Sequence, residues 1–181
     1  MTGELSVAGV TVELTQGDIT AQPDVDAVVN AANAQLRPGG GVAGAIHRAA
    51  GPGLDDECRP LAPIEPGQCV ITGGHRLPNA HVIHCLGPVY GVDEPAERLL
   101  ADCYRSALRI ADQHGLTSVA FPAISTGAFG YPLQEAAEVA VRTVVETAPE
   151  LESVVRVRFV LFDRAAVAAH EQALRAAEPS G

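Results

Sequence analysis

Two glycine-rich segments have the residue types and spacing to bind a phosphate group. Gly39–Gly41 are three consecutive glycines directly before a segment with helical periodicity. Residues 124–132, Ile-Ser-Thr-Gly-Ala-Phe-Gly-Tyr-Pro, join an apolar segment to another predicted helix. Glycine lets the backbone approach a ligand closely, and the free N–H groups at a helix N-terminus attract anions. Each segment alone is compatible with an ordinary connection, but two at one sheet edge favour a pyrophosphate held between them.

The basic residues limit the kinds of phosphate chemistry that the chain can perform. All twelve are arginines, since the sequence contains no lysine. This excludes a P-loop lysine on a nucleotide, a Schiff base to pyridoxal phosphate and a lysine nucleophile. The formal net charge of −10 also disfavours a surface that follows a nucleic-acid backbone. A phosphate ligand must therefore be bound by local backbone and hydroxyl donors.

Predicted strands and helices alternate along the chain, which is typical of a largely parallel sheet covered by helices. Short apolar or alternating runs predict strands at residues 10–15, 25–31, 68–72, 81–86, 118–121 and 154–162. Helical patterns cover residues 42–50, 94–114, 133–147 and 165–177. Ligands of such folds bind beyond the carboxyl ends of the strands. The loops after Ala31, Phe121 and Phe162 are therefore the candidate binding loops.

Length and composition favour one domain that folds without a metal or a disulfide. We assign residues 1–181 to it, with a core at about residues 10–175 and short flexible termini, the last from Glu178. The four cysteines lack C-x-x-C spacing, so we expect reduced thiols and no zinc site. The sequence predicts neither a signal peptide nor an apolar run of the ~20 residues that span a bilayer. We expect a cytoplasmic monomer without membrane contacts.

Five segments carry long motifs in a fixed order. They are residues 17–20 (Gly-Asp-Ile-Thr), 29–33 (Val-Asn-Ala-Ala-Asn), 39–51, the His81-Val-Ile-His84 segment before Gly87-Pro88, and 121–132. Together they resemble the macrodomain family, specifically its MacroD-type branch, over about residues 10–175. The resemblance implies a three-layer α/β/α fold with a mixed, largely parallel sheet of about six strands. It also implies a cleft that binds ADP-ribose.

The resemblance further implies roles for individual residues in that cleft. Asp18 would accept a hydrogen bond from the adenine amino group, the backbone of Ile19 would contact the same base, and Phe162 would stack on it. Asn33 would hydrogen-bond the distal ribose, against which Phe129 would pack. The residues around the pyrophosphate would be Gly39, Gly40, Gly41, Val42, Ala43, Ser125, Thr126, Gly127, Ala128 and Phe129.

Three of these side chains also have structural interpretations that the sequence leaves open. Asp18 could cap a short helix. Phe162 could belong to the core. Asn33 could merely close a turn with its own backbone.

The histidines and Asn30 give little support for a metal or cofactor site. Asn30 is better explained as structural than as a ligand contact. His47, on a predicted helix, is as compatible with packing as with function. His81 and His84 are three residues apart in a predicted strand, so they face opposite sides of the sheet and do not chelate one metal. We therefore predict no metal site and no cofactor.

The sequence departs from the family at one position that bears on catalysis. MacroD-type hydrolases usually have Gly-Val-Asp-Gly in the first loop, whereas this chain has Gly41-Val42-Ala43-Gly44. Ala43 cannot orient a water molecule or accept a proton, and loss of a general base typically costs about 10²–10⁴-fold in rate. Other macrodomain branches with alanine here are associated with hydrolysis. Resemblance to those branches implies that the phosphate of the ligand activates the water.

Several functions remain open for one such cleft. We expect hydrolysis of mono-ADP-ribose from modified proteins at an ester-type linkage, through an oxocarbenium-like state at the distal ribose. Asn33 is the main catalytic candidate, and His47 is a second one because it lies one helical turn from position 43. The alternatives are a reader of ADP-ribose without turnover, which Ala43 favours, and a deacetylase of O-acetyl-ADP-ribose. The predicted partners are ADP-ribose and ADP-ribosylated protein, with an ADP-ribosylated nucleic-acid end as a further candidate.

Overall fold

A mixed sheet of seven strands forms the centre of the computed structural model, which describes residues 3–178. The strands are β1 (Glu4–Val7), β2 (Val10–Gln16), β3 (Ala27–Ala31), β4 (Cys69–Gly73), β5 (His81–Cys85), β6 (Ser118–Phe121) and β7 (Arg156–Leu161). Their spatial order is β1-β2-β7-β6-β3-β5-β4. The five central strands are parallel, whereas β1 and β4 pair antiparallel with β2 and β5 at the two edges.

Helices cover both faces of this sheet. They are α1 (Gly41–Ala50), α2 (Pro52–Cys58), α3 (Ala96–Gln113), α4 (Leu133–Thr147) and α5 (Arg164–Ala177). The last three pack on one face and form the larger apolar core, and α1 and α2 pack on the other face over a smaller cluster. The predicted three-layer α/β/α fold with a mixed, largely parallel sheet is confirmed.

Most element boundaries lie within two residues of the prediction, but one strand and one α-helix were missed. β1 has four residues with only Leu5 fully buried, so its apolar signal is weak, and it makes the sheet seven-stranded rather than six-stranded. α2 starts at Pro52, directly after the Gly51 that ends α1. The Gly51-Pro52 pair was interpreted only as the end of α1, although proline also suits the first turn of a helix.

Three further expectations concern the chain ends, the cysteines and membrane spans. Met1, Thr2 and residues 179–181 lie outside the described residues, so the flexible termini and the extent of the single domain stay predictions. Cys58, Cys69, Cys85 and Cys103 carry free thiols. Between residues 3 and 178, none of the helices has the length and apolar character needed to cross a bilayer.

The parallel strands end together at one edge of the sheet. Their last residues are Gln16 (β2), Leu161 (β7), Phe121 (β6), Ala31 (β3) and Cys85 (β5). Because neighbouring parallel strands share a direction, the connections that follow them gather on the same side. Both glycine loops, Asp18 and Phe162 are in these connections, so the fold brings together segments more than 140 residues apart in the chain.

Candidate functional site

Asn33 shapes the first glycine loop, which connects β3 to α1. Its side-chain amide accepts a hydrogen bond from the Arg37 N–H at 3.0 Å and donates one to the Arg37 carbonyl at 2.8 Å. These two bonds close a turn, which is the structural role that the sequence left open. A Cβ on Gly39 would lie 3.4 Å from the Asn33 amide nitrogen, so the loop returns close to this side chain.

The N-terminus of α1 has free backbone donors. Gly40 is its N-cap, and the first turn contains neither a side-chain cap nor an acidic residue. The Gly44 N–H donates to the Gly40 carbonyl at 3.2 Å, while those of Gly41, Val42 and Ala43 have no protein acceptor in the described chain. The helix dipole adds a partial positive charge at this point. This end of α1 is therefore suited to bind an anion.

The second glycine loop, residues 124–132, also has unpaired backbone donors. The N–H groups of Gly127, Ala128 and Phe129 have no acceptor among residues 3–178. Ser125 has a left-handed backbone with φ of 68°, and its carbonyl accepts from the Tyr131 N–H at 2.9 Å. The Thr126 hydroxyl donates to the Ala123 carbonyl at 2.8 Å, so it is already engaged within the loop. Backbone N–H groups are thus the main donors that this loop offers.

Asp18 and Phe162 follow two paired strands at the same edge. The Asp18 carboxylate accepts hydrogen bonds from the N–H and the hydroxyl of Thr20 at 2.8 and 2.7 Å, and these bonds lower its pKa. A turn follows it rather than a helix, so the helix-capping interpretation was wrong. Phe162 is 90% exposed, so the core interpretation was also wrong. Ile19 buries its side chain, which leaves only its backbone for a ligand.

Comparison with known proteins establishes the family. A family model described as Macro domain matches residues 29–140. This chain belongs to the Macro domain family. The Oceanobacillus iheyensis macrodomain with ADP superposes with a TM-score of 0.93 and 36% identity, over 97% of this chain and 96% of that one.

Two relatives of this macrodomain carry enzyme names. An O-acetyl-ADP-ribose deacetylase of Klebsiella pneumoniae (strain 342) is 47% identical over 90% of this chain and 95% of that protein. The ADP-ribose glycohydrolase MACROD1 of Rattus norvegicus is 54% identical over 75% of this chain and 53% of that protein.

His47 lies in the interior of the macrodomain rather than on its surface. It is 6% exposed, and within the described residues neither ring nitrogen has a hydrogen-bond partner. Burial lowers its pKa, which favours the neutral ring. Ala43, one turn earlier on α1, is 5% exposed. This placement favours the packing interpretation of His47 over a direct contact with a ligand.

Asn30 and His84 form a buried pair between β3 and β5. The Asn30 amide nitrogen is 3.1 Å from Nδ1 of His84, and Nε2 of His84 is 2.9 Å from the Thr72 hydroxyl. Burial lowers the pKa of His84 to about 3, so the ring is neutral. His81 contacts the Thr72 carbonyl instead, at 3.1 Å. Among the residues that the structure describes, no group of three or more potential ligands could hold a metal ion.

Sequence reasoning missed the residues that support the second loop. The Tyr104 hydroxyl on α3 contacts the backbone of Pro122 and Ile124. Gly87 packs against Ser125, and the Tyr90 N–H donates to the Phe129 carbonyl at 2.9 Å. Gly87 belongs to a motif noted in the sequence, but Tyr104 shows only the helical spacing of a core residue.

The groups along this edge of the sheet suit a ligand that joins a planar base to a phosphate. Two sets of free N–H groups supply neutral donors, which a protein without lysine and with a net charge of −10 needs for an anion. Phe162 supplies an exposed aromatic ring and Asp18 a carboxylate acceptor, and the two residues follow the paired strands β7 and β2. No carboxylate is present in the first turn of α1, in agreement with Ala43 at this position.

Proposed function

We propose that this macrodomain binds ADP-ribose along the edge where its parallel strands end. The observation that carries the proposal is the two sets of unpaired backbone N–H groups, on residues 41–43 and 127–129. They would hold the pyrophosphate between them, because a helix N-terminus and a backbone concavity both favour anions. Phe162 would stack on the adenine, and the free oxygen of Asp18 would accept from the adenine amino group.

We propose further that the macrodomain hydrolyses mono-ADP-ribose from modified proteins. The enzyme names of its relatives support this activity. Asn33 uses one amide hydrogen and one oxygen lone pair within its own turn, so a second hydrogen and a second lone pair are available to the distal ribose. Asn33 would then fix the sugar relative to the attacking water.

The proposed reaction replaces the bond between the anomeric carbon and the target by a bond to water. As the C–O bond breaks, positive charge develops on the ribose and the target leaves as a carboxylate, which needs no protonation at neutral pH. The water attacks the anomeric carbon and releases its proton. Because Ala43 supplies no base, the proton would go to a phosphate oxygen of the ligand and then to solvent. Orientation alone can contribute several kcal/mol to such a step.

Two other functions use the same cleft. The Klebsiella relative favours hydrolysis of the acetyl ester of O-acetyl-ADP-ribose, which breaks the acyl C–O bond and leaves the ribose intact. Ala43 favours a reader that binds without turnover. The deciding experiment incubates the protein with an ADP-ribosyltransferase that has modified its own acidic side chains, and in parallel with O-acetyl-ADP-ribose. We expect release of ADP-ribose from the protein. Acetate release alone would favour the deacetylase, and binding without release of either product would favour the reader.

A further inference from the structure

Tyr104 connects the helical layer to the beginning of the second glycine loop. It lies on α3 and is 1% exposed. Its hydroxyl donates to the Pro122 carbonyl at 3.3 Å and accepts from the Ile124 N–H at 3.2 Å. Pro122 and Ile124 are 18 and 20 positions from Tyr104 in the chain, so this is a tertiary contact and not a local one.

The hydroxyl of Tyr104 is held in place by the packing of its ring. The ring centroid lies 5.0 Å from that of Phe121 and 6.2 Å from that of Phe159, on strands β6 and β7. Burial raises the pKa of Tyr104, so the hydroxyl stays protonated and can donate. A buried, rigid side chain therefore satisfies a donor and an acceptor of the loop backbone at once.

The loop segment that this hydroxyl fixes leads directly to the unpaired donors. Ser125, the next residue after Ile124, has the left-handed φ of 68° that turns the chain. The free N–H groups of Gly127, Ala128 and Phe129 follow two residues later. A left-handed conformation is unfavourable for a residue other than glycine, so the flanking contacts must hold it.

We propose that Tyr104 is a positioning residue for phosphate binding. Its hydroxyl holds the beginning of the second loop in the shape that presents the N–H groups of residues 127–129 to the pyrophosphate. This inference rests on the proposed binding of ADP-ribose. Tyr104 itself touches no ligand, because it is buried beneath the loop.

The test compares Tyr104→Phe with Thr147→Val. Both remove a buried hydroxyl that hydrogen-bonds a backbone carbonyl, but Thr147 bonds the Thr143 carbonyl at 2.7 Å, at the end of α4 that lies away from the loop. We expect Tyr104→Phe to weaken ADP-ribose binding by about tenfold, the size expected when a buried polar group loses its partner. Thr147→Val should change it by less than about twofold, well below that effect.

Adenosine separates positioning from general destabilisation. This ligand has the base and the proximal ribose but no phosphate, so its affinity, measured by NMR titration, should be the same for wild type and Tyr104→Phe. Val144→Ala, in the core of α4, is the stability control, and it should lower the melting temperature without changing either affinity. Equal loss of adenosine and ADP-ribose binding in Tyr104→Phe would overturn the proposal, as would unchanged ADP-ribose binding.

Hydrogen exchange of the wild type gives a second measurement that needs no variant. The Ile124 amide should exchange slowly without ligand, whereas the amides of residues 127–129 should become protected only when ADP-ribose is bound. Rapid exchange of Ile124 would contradict the contact with Tyr104. If the wild type bound adenosine and ADP-ribose equally, or bound neither, the proposed binding of ADP-ribose through its pyrophosphate would be wrong. The inference about Tyr104, which rests on it, would then be wrong as well.

Discussion

Gly87, just after β5, packs directly against the side chain of Ser125 in the second loop. A Cβ on Gly87 would overlap the Ser125 hydroxyl oxygen and would lie 2.6 Å from Cγ2 of Ile124. Ser125 is buried, and its backbone is already in the left-handed region. The contact therefore joins the connections after β5 and β6 at a point where a larger residue has no space.

We expect Gly87→Ala to displace the second loop, because the added methyl group needs the space of Ser125. Overpacking of this kind typically costs about 1–3 kcal/mol of stability. The displaced N–H groups should also weaken ADP-ribose binding by at least about tenfold, or about 1.4 kcal/mol. Thermal unfolding and isothermal titration measure the two effects. Gly3→Ala is the control, since its methyl group would make an ordinary contact with Leu174 at 3.5 Å. Unchanged affinity in Gly87→Ala would show that the loop tolerates this displacement.

The glycine loops themselves should tolerate larger residues structurally but not functionally. A Cβ on Gly40 or Gly127 would meet nothing within 4 Å, so Gly40→Glu and Gly127→Glu should fold normally. Their carboxylates would enter the phosphate path, and we expect loss of ADP-ribose binding. Gly40→Gln separates volume from charge, since it has nearly the same size without the charge. Full affinity in both glutamate variants would place the pyrophosphate elsewhere.

Phe162→Ala should weaken ligand binding without affecting the stability of the protein. The ring is 90% exposed, so its removal exposes almost no core. Base–aromatic stacking is typically worth about 1–3 kcal/mol, and we expect a loss of that size for ADP-ribose. The matched control is Val155→Ala. Val155 is a second exposed apolar residue, and it directly precedes β7, at the opposite end of the strand from Phe162. An unchanged Kd for Phe162→Ala would exclude stacking of the base on this ring.

Parts of this architecture follow from local sequence patterns. Val28 and Val29 are successive residues of β3 that pack into the smaller and the larger core respectively, as a continuous apolar run predicts for a strand covered on both faces. The consecutive glycines likewise predict a close backbone approach. Both signals are contained within a few residues, so they can be identified without knowledge of the fold.

Other parts depend on contacts that the sequence does not encode locally. β1 pairs with β2 through Ala8 and Gly9, whose φ values are 49° and 81°. Such turns usually contain Asn-Gly or Asp-Gly, so the Ala-Gly pair does not predict a hairpin. The Tyr104 hydroxyl on α3 bonds the backbone of Pro122 and Ile124, which follow strand β6. Helical spacing in the sequence predicts only that the Tyr104 ring is buried. These features require the tertiary structure.

The stability of the protein should decrease below about pH 6.5 because of its buried histidines, whose unfolded-state pKa is about 6.5. Burial lowers the pKa of His84 to about 3 and also lowers the pKa values of His47 and His170. The unfolded chain therefore binds more protons than the folded one in this window. Stability is fully present above pH 6.5, and His84 causes a loss of about 1.4 kcal/mol per pH unit as the pH falls from 6.5 towards 3. His47 and His170 contribute in the same direction.

Denaturant unfolding between pH 7.5 and 5 measures this effect. This pH window lies above the range in which carboxylates titrate, so the histidines dominate the change of the free energy of unfolding with pH. His84→Gln should be less stable at pH 7.5, because it loses the contacts of the imidazole ring with the Asn30 amide and the Thr72 hydroxyl. Its stability should depend less on pH than that of the wild type. His114→Gln, at an exposed position, is the control. A wild-type stability that is constant from pH 7.5 to 5 would contradict the neutral state of the buried rings.

Restoring an acid at position 43 tests how the macrodomain activates water. We expect slow hydrolysis by the wild type that depends on Asn33 and is unchanged by a chelator. Ala43→Asp would place a carboxylate in the first turn of α1, beside the proposed pyrophosphate site. It should orient the attacking water and raise the single-turnover rate by about tenfold or more. The same charge would repel the phosphates in a partly dry cleft, so ADP-ribose binding should become weaker.

The decisive comparison uses one ADP-ribosylated protein with the wild type, Asn33→Ala and Ala43→Asp. Ala43→Asn controls for the size of the new side chain, because it cannot accept the proton as a carboxylate does. Equal rates for wild type and Asn33→Ala would remove Asn33 from the mechanism. Release by Ala43→Asp but not by the wild type would identify the natural chain as a reader, since its fold would then support hydrolysis that only the missing acid prevents.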